Sequence, residues 1–179
     1  MIKRFLIKLI FHSCKILLKP LDGRFPRTYM SIYNYLLKIM GVRMNGNPRY
    51  ISTQVRFDDF NKIQLGERVV ISEKVILLTH DYSLTTGLIV LDKCPPTDLA
   101  FIKEIKIGKN VFIGMSSIIM PGTKIHDNVV IGAGSVVRGE IPSDSIVIGN
   151  PAKIIGKLSE KAINWEKQLN NSNIKKDIK

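Results

Sequence analysis

Apolar residues recur through the middle of the chain with a period of six: Ile107, Ile113, Ile119, Ile125, Ile131 and Val137, with Gly following at 108, 114 and 132. Six is neither the alternation of a half-buried strand nor the 3.6-residue spacing of an amphipathic helix. Tandem six-residue units predict a parallel β-helix, each unit forming one flat side of a coil. Leu65, Ile71 and Leu77 share the same phase. The residue four places after the aliphatic one is small or β-branched, as at Val111, Ser117, Thr123, Val129 and Ser135. Aliphatic side chains can fill the axis of a narrow prism while the smaller ones sit near its corners. Glycine supplies the permissive backbone that a sharp corner needs.

The N-terminal pattern is helical instead. Ile2, Phe5, Leu6, Leu9, Ile10, Ile16 and Leu17 oppose Lys8, Lys15 and Lys19, which predicts an amphipathic helix over residues 1–19. Two uses are open to it: packing on its own domain or a neighbouring subunit, or attachment to the inner face of a membrane. Pro20, Asp22-Gly23 and Pro26 read as a break. A second helix is expected from about Tyr29 to Met40, ended by Gly41, with a turn at Asn45-Gly46-Asn47-Pro48. Coils are expected from about Tyr50. The rhythm fails between about Tyr82 and Lys103, where Thr85-Thr86-Gly87 and Cys94-Pro95-Pro96 read as loop, and it resumes at Ile105–Ile107. Long excursions on rigid scaffolds often carry function. Gly149-Asn150-Pro151 closes the coil, Ser159 is expected to cap a helix through Leu169, and the Asn- and Lys-rich end is expected to fray. The division expected is a helical extension at 1–48, a β-helix at 49–156 with an excursion at about 82–104, and a helix with tail at 157–179.

A chain of 179 residues is one domain with room for small appendages. Its net charge of +12 is unusual, and the basic residues gather at the ends: Lys3, Arg4, Lys8, Lys15 and Lys19, then Lys157, Lys161, Lys167, Lys175, Lys176 and Lys179. They form no aromatic-interleaved stripe, so nucleic acid is not the expected partner. An anionic membrane surface or cofactor suits them better. Cys14 and Cys94 make no disulfide framework and are expected to stay reduced in the cytoplasm. The short apolar run Phe5–Ile10 is broken by Lys8 and followed by no small-residue cleavage site, so a signal peptide is not expected. No apolar stretch reaches bilayer-spanning length.

His80 stands where the regular early coil gives way to the excursion. An imidazole there is placed to meet a ligand, and its ordinary pKa near 6.5 suits proton removal at neutral pH. His12, in the amphipathic helix, and His126, in a turn, read as structural. No serine stands in a nucleophile-elbow motif, and three histidines at these spacings build no zinc site.

Tyr50 to Lys153 resembles the hexapeptide-repeat acyltransferases. The resemblance is carried by Ile107-Gly-Lys-Asn-Val-Phe-Ile-Gly-Met-Ser-Ser, Ile131-Gly-Ala-Gly-Ser, Ile141-Pro-Ser-Asp-Ser and Gly149-Asn-Pro-Ala-Lys. Leu78-Thr-His-Asp-Tyr-Ser is similar to the variant found in sugar O-acetyltransferases of the galactoside and maltose type and of capsule, O-antigen and exopolysaccharide clusters. The resemblance implies a mainly β fold, a left-handed parallel β-helix with N-terminal helices and a short C-terminal helix. It implies a homotrimer with acetyl-CoA in the grooves between prisms and no metal requirement. The residue matching the family's catalytic base is His80, which deprotonates a sugar hydroxyl that then attacks the thioester directly. The family's oxyanion donor is a backbone N–H matching Met115, beside Gly114. Cofactor contacts map to Phe112, Gly114, Met115, Ser116, Gly132, Ala133 and Lys153. Arg138-Gly139 replaces the family's Thr-Lys pair, and Arg138 can still hold a phosphate. Ser72 and Tyr82 fall at acceptor-side positions. Asp81 is a candidate to orient His80, with Asp92 and Glu73 as alternatives. The function expected is that of a cytoplasmic O-acetyltransferase acting on a surface-polysaccharide sugar or its precursor. N-acetylation of an amino sugar and a non-catalytic scaffold are the competing readings.

Overall fold

The structure is a computed structural model that describes residues 2–169, without the side chains of residues 2–10 and 12. The apolar face drawn from Ile2 to Ile10, the setting of His12 and the frayed end beyond residue 169 therefore lie outside the described residues.

Three parallel sheets wrap around one axis. The first face holds Arg43–Asn45, Ile63–Gly66, Ile105–Ile107, Lys124–Ile125 and Glu140–Ile141. The second holds Tyr50–Ile51, Val70–Ile71, Val111–Ile113, Val129–Ile131 and Ser145–Gly149. The third holds Arg56–Phe57, Ile76–Leu77, Ile118–Ile119 and Val136–Val137. The chain visits the faces in that order, turn after turn. The coil therefore starts at Arg43, earlier than the Tyr50 expected.

Strand register explains the six-residue period. Leu65, Ile107, Ile125 and Ile141 stack in one buried column, and Ile51, Ile71, Ile113, Ile131 and Val147 in a second. Phe57, Leu77, Ile119 and Val137 form the third. Each such side chain stabilises the fold by roughly 1.5–3 kcal/mol relative to exposure. The small polar residues sit at corners and satisfy themselves locally. Ser117 Oγ donates to the Gly114 carbonyl at 2.8 Å, and Thr123 Oγ1 to that of Met120 at 2.7 Å.

The outer surfaces of the faces differ. The first carries Gln64, Lys106, Lys124 and Glu140 in register, with Lys124 Nζ 2.9 Å from Glu140 Oε1. The second carries Tyr50, Val70, Phe112, Val130 and Ile146, and the third Arg56, Ile76, Ile118 and Val136. One face is built for water and two are largely apolar.

Two helices close the N-terminal end. Helix α1 spans Ile2–Arg24 and α2 spans Pro26–Met40. Tyr29, Met30, Tyr33, Asn34 and Leu37 bury one side of α2. The Tyr29 hydroxyl donates to the Ile51 carbonyl and Asn34 Nδ2 to that of Pro48, which seats the helix on the first turn of the coil. From α1, Phe11 and Leu18 are buried, and the Phe11 ring meets Phe60 edge-on at 5.1 Å. Lys15 Nζ donates to the Val55 carbonyl at 3.2 Å, and burial holds its pKa below the usual lysine range. Packing on its own domain is thus the use made of Phe11 and Leu18.

Several local expectations are corrected. Helix α1 runs through Pro20, costing it one backbone bond where Ile16 and Leu17 face solvent. The break falls at Phe25, with Pro26 starting α2. Gly41 ends α2 as expected, at a φ of 105°. The excursion is not all loop: α3 covers Ser83–Val90, and His80–Asp81 pairs antiparallel with Phe101–Ile102. After Gly149, Ala152–Lys157 returns antiparallel along Ser145–Gly149 and leads into α4, Leu158–Glu166. Ser159 is not the cap. Its N–H and hydroxyl both donate to the Asp144 carboxylate, at 2.7 and 2.6 Å, so the helix start is satisfied from the coil. No helix among the described residues is long and apolar enough to cross a membrane.

Candidate active site

The end of the second turn pins His80 from both sides. Thr79 is fully buried. Its N–H donates to Asp58 Oδ2 at 3.1 Å and its hydroxyl to Asp59 Oδ2 at 2.8 Å. The Thr79 carbonyl accepts the Lys103 N–H at 2.8 Å, where the chain returns from the excursion. Asp58 Oδ2 then lies 2.7 Å from His80 Nδ1, and Asp59 Oδ2 lies 3.8 Å away. With Nδ1–H donating to Asp58, the neutral ring keeps a lone pair on Nε2. The Asp58 side chain is 14% exposed and that of His80 36%, so the carboxylate is sheltered while the ring reaches solvent. Tyr82 meets the imidazole edge-on, with ring centroids 5.5 Å apart.

Asp81 does not orient His80. Its Oδ1 accepts the Ser83 N–H at 2.9 Å, and this bond holds its carboxyl below the usual range. Neighbours on a strand point to opposite sides, which turns Asp81 away from the ring. Asp92 sits at the end of α3 and Glu73 at another corner of the coil. Asp58, Asp59 and Thr79 are the residues missed. A signal for them exists: Phe57 to Leu65 is two residues longer than the six-residue step, and the 3-10 turn Phe60–Lys62 fills that excess beside Asp58-Asp59.

The expected cofactor residues lie along a different edge. Gly114-Met115-Ser116 and Gly132-Ala133-Gly134 are successive corners between the second and third faces, and Ser72 occupies the corner before them. A Cβ on Gly114 would stand 2.5 Å from Ala133 N, so glycine is what lets the two corners touch. The Met115 carbonyl accepts the Gly134 N–H at 2.9 Å. Among the described residues no acceptor meets the N–H of Met115 or of Ala133. Phe112 stands outward just before this corner, and Lys153 lies on the returning strand opposite Ile148. Arg138, in contrast, follows Val137 at the edge where Thr79 and His80 leave the coil.

His80, Tyr82 and Arg138 thus share one edge of the third face, and Ser72, Met115, Ser116 and Ala133 share the other. At about 3.3 Å per extended residue, the width of that face separates them by roughly 15 Å. The acyl-transfer groups expected at one site are not brought together within one chain. Asp58, Asp59 and His80 could also hold a metal, their donor atoms lying within 4.8 Å of one another. The same carboxylate oxygens already accept hydrogen bonds from Thr79, which compete with that use.

The model of the family described as bacterial transferase hexapeptide (six repeats) matches residues 104–139. A putative lipopolysaccharide biosynthesis O-acetyl transferase, WbbJ of Escherichia coli K12, is 28% identical over 174 residues, covering 90% of this chain and 88% of the relative. The galactoside O-acetyltransferase of the same organism is 34% identical over 58% of this chain, which spans about half that relative's length, 48%. The crystal structure of a maltose O-acetyltransferase from Clostridium difficile 630 superposes with a TM-score of 0.56 at 25% identity, covering 86% of this chain and 88% of the other. Its three-sided coil, the repeat match over residues 104–139 and relatives of this kind make the chain similar to the hexapeptide-repeat acyltransferases.

Proposed function

We propose that this protein transfers an acetyl group from acetyl-CoA to a sugar hydroxyl of a surface polysaccharide or its precursor, with His80 as general base. The observation that carries the reading is the 2.7 Å contact between His80 Nδ1 and Asp58 Oδ2, which leaves Nε2 free to take a proton. His80 Nε2 removes the hydroxyl proton as the oxygen attacks the thioester carbonyl. Asp58 holds the ring orientation and stabilises the imidazolium as it forms. The Met115 N–H, without another acceptor, is a donor for the developing oxyanion. The proton on His80 then passes to the departing thiolate, and no acyl-enzyme forms. Close approach of a pantetheine arm fits the Gly114 and Gly132 corners, and Lys153 and Arg138 supply cations for phosphates.

The coil is left-handed in this reading, and three copies complete the site. With the third face of each prism toward a three-fold axis, the His80 edge of one copy meets the Met115 edge of the next. Such an assembly also covers outward side chains of the apolar faces, such as Phe112 and Ile118. The acceptor class follows from the resemblance to sugar O-acetyltransferases and from the polysaccharide setting of the relative covered nearly end to end. The test is incubation with labelled acetyl-CoA and a panel of nucleotide sugars and oligosaccharides. An alkali-labile ester supports O-transfer; an alkali-stable amide, or no labelled product, contradicts it.

A further inference from the structure

Charge is distributed unevenly between the parts of this chain. Residues 1–48 hold nine Lys or Arg and a single acidic residue, Asp22, which is two thirds of the net +12. Residues 49–156 are nearly balanced, twelve basic against eleven acidic. Most of the excess therefore lies in residues 1–48, with a further +3 in residues 157–179, and the coil carries almost none of it.

Helix α2 has a second face that packing does not use. Thr28, Ile32, Tyr35 and Ile39 recur at i, i+4, i+7 and i+11, which places them in one narrow stripe. The buried residues Tyr29, Met30, Tyr33 and Leu37 lie on the opposite side, against the first turn of the coil. Within the stripe Ile32 is 40% exposed, Tyr35 66% and Ile39 54%. Arg27 and Lys38 border it and are exposed. On the same hairpin Ile16, Leu17 and Phe25 are also exposed, beside Lys19 and Arg24. None of these four basic residues has an ion-pair partner among the described residues.

We infer that the outer face of this hairpin is a docking surface for an anionic lipid bilayer. An apolar stripe with a tyrosine and a basic border is the composition of a helix lying in the plane of a membrane interface. Ile32 and Ile39 enter the acyl boundary, Tyr35 sits at headgroup level, and Arg27 and Lys38 meet the lipid phosphates. The charge settles the choice between a bilayer and a second copy of the chain. A face drawn from a segment this basic repels its own copy and attracts an anionic surface.

Co-sedimentation of the full chain with phosphatidylcholine vesicles, with and without phosphatidylglycerol, tests this. Pelleting is expected only with phosphatidylglycerol, and high salt should release the protein. Replacing Ile32, Tyr35 and Ile39 together by Ser should lower partitioning at least about tenfold with only a small fall in Tm, since Tyr35 and Ile39 are more than half exposed. Arg27→Gln and Lys38→Gln should each lower it by about fivefold. The inference is overturned by equal pelleting with uncharged vesicles, by no pelleting with anionic ones, or by a triple variant that pellets like the parent. It is also overturned if the triple variant falls to a smaller mass in sedimentation velocity, which marks the face as a subunit contact. The readout needs no acceptor and no acetyl transfer, so it stands or falls separately from the enzymatic reading.

Discussion

Asp58 Oδ2 lies 2.7 Å from His80 Nδ1, a contact made across a full turn of the coil. Asp58 is itself held by the Thr79 N–H at 3.1 Å. Asp58→Asn should therefore leave the fold intact and misorient the ring. We expect kcat to fall by about ten- to a thousandfold with little change in the KM for acetyl-CoA. Asp81→Asn, which removes the charge but keeps an oxygen to accept the Ser83 N–H, should change kcat by less than about threefold. Steady-state kinetics of both variants check the assignment; the reverse ranking would return the orienting role to Asp81.

The two edges of the third face make a test of assembly possible. A trimer that pairs His80 of one chain with Ala133 of the next predicts complementation between two inactive variants. His80→Ala lacks the base, and Ala133→Glu blocks the cofactor corner, where the side chain is exposed. Unfolded and refolded together in equal amounts, they should recover about a quarter of the parental activity, the share of sites drawing both intact edges. Mixtures as inactive as the separate variants would mean that the site lies within one chain.

Ile131 is fully buried between Ile113 and Val147 in the second-face column. Ile131→Ala should cost about 2–5 kcal/mol by cavity formation. Calorimetry should show a lower Tm, whereas Val130→Ala, on the outward side of the same strand, should shift it far less if the second face is open.

Asp144 ties α4 to the coil, and its hydrogen bonds from Ser159 hold its carboxyl below the usual range. A depressed folded pKa contributes stability that is present above the unfolded value, about 3.9, and is lost as pH falls through the folded value. Amide exchange over residues 158–166 should therefore accelerate as the medium is acidified below that range, relative to the coil. Asp144→Asn should show the faster exchange already at neutral pH; unchanged exchange in that variant would exclude the tie.

The coil was legible because each turn repeats the same chemistry at the same step. Ile107, Ile113 and Ile119 belong to three different faces yet share one role, and a period of six reports it. His80 was legible for the converse reason, standing where the rhythm stops. Its partner was not, because the contact with Asp58 joins consecutive turns and no local pattern encodes it. Helix α3 buries no residue, so no helical periodicity of apolar positions marks it and the segment reads as loop. At Pro20 and Ser159 tertiary context overrides ordinary local preference. At Ser159 the acceptor came from Asp144 in the coil instead of from the helix's own start.

The most direct measurement is kcat/KM for acetyl transfer by His80→Ala, made alongside its Tm and its affinity for CoA. A general base at this position predicts a loss of at least about a hundredfold, with Tm and CoA affinity near the parental values. Acetyl transfer within a few-fold of the parent, in a variant that remains folded and binds CoA, would contradict it.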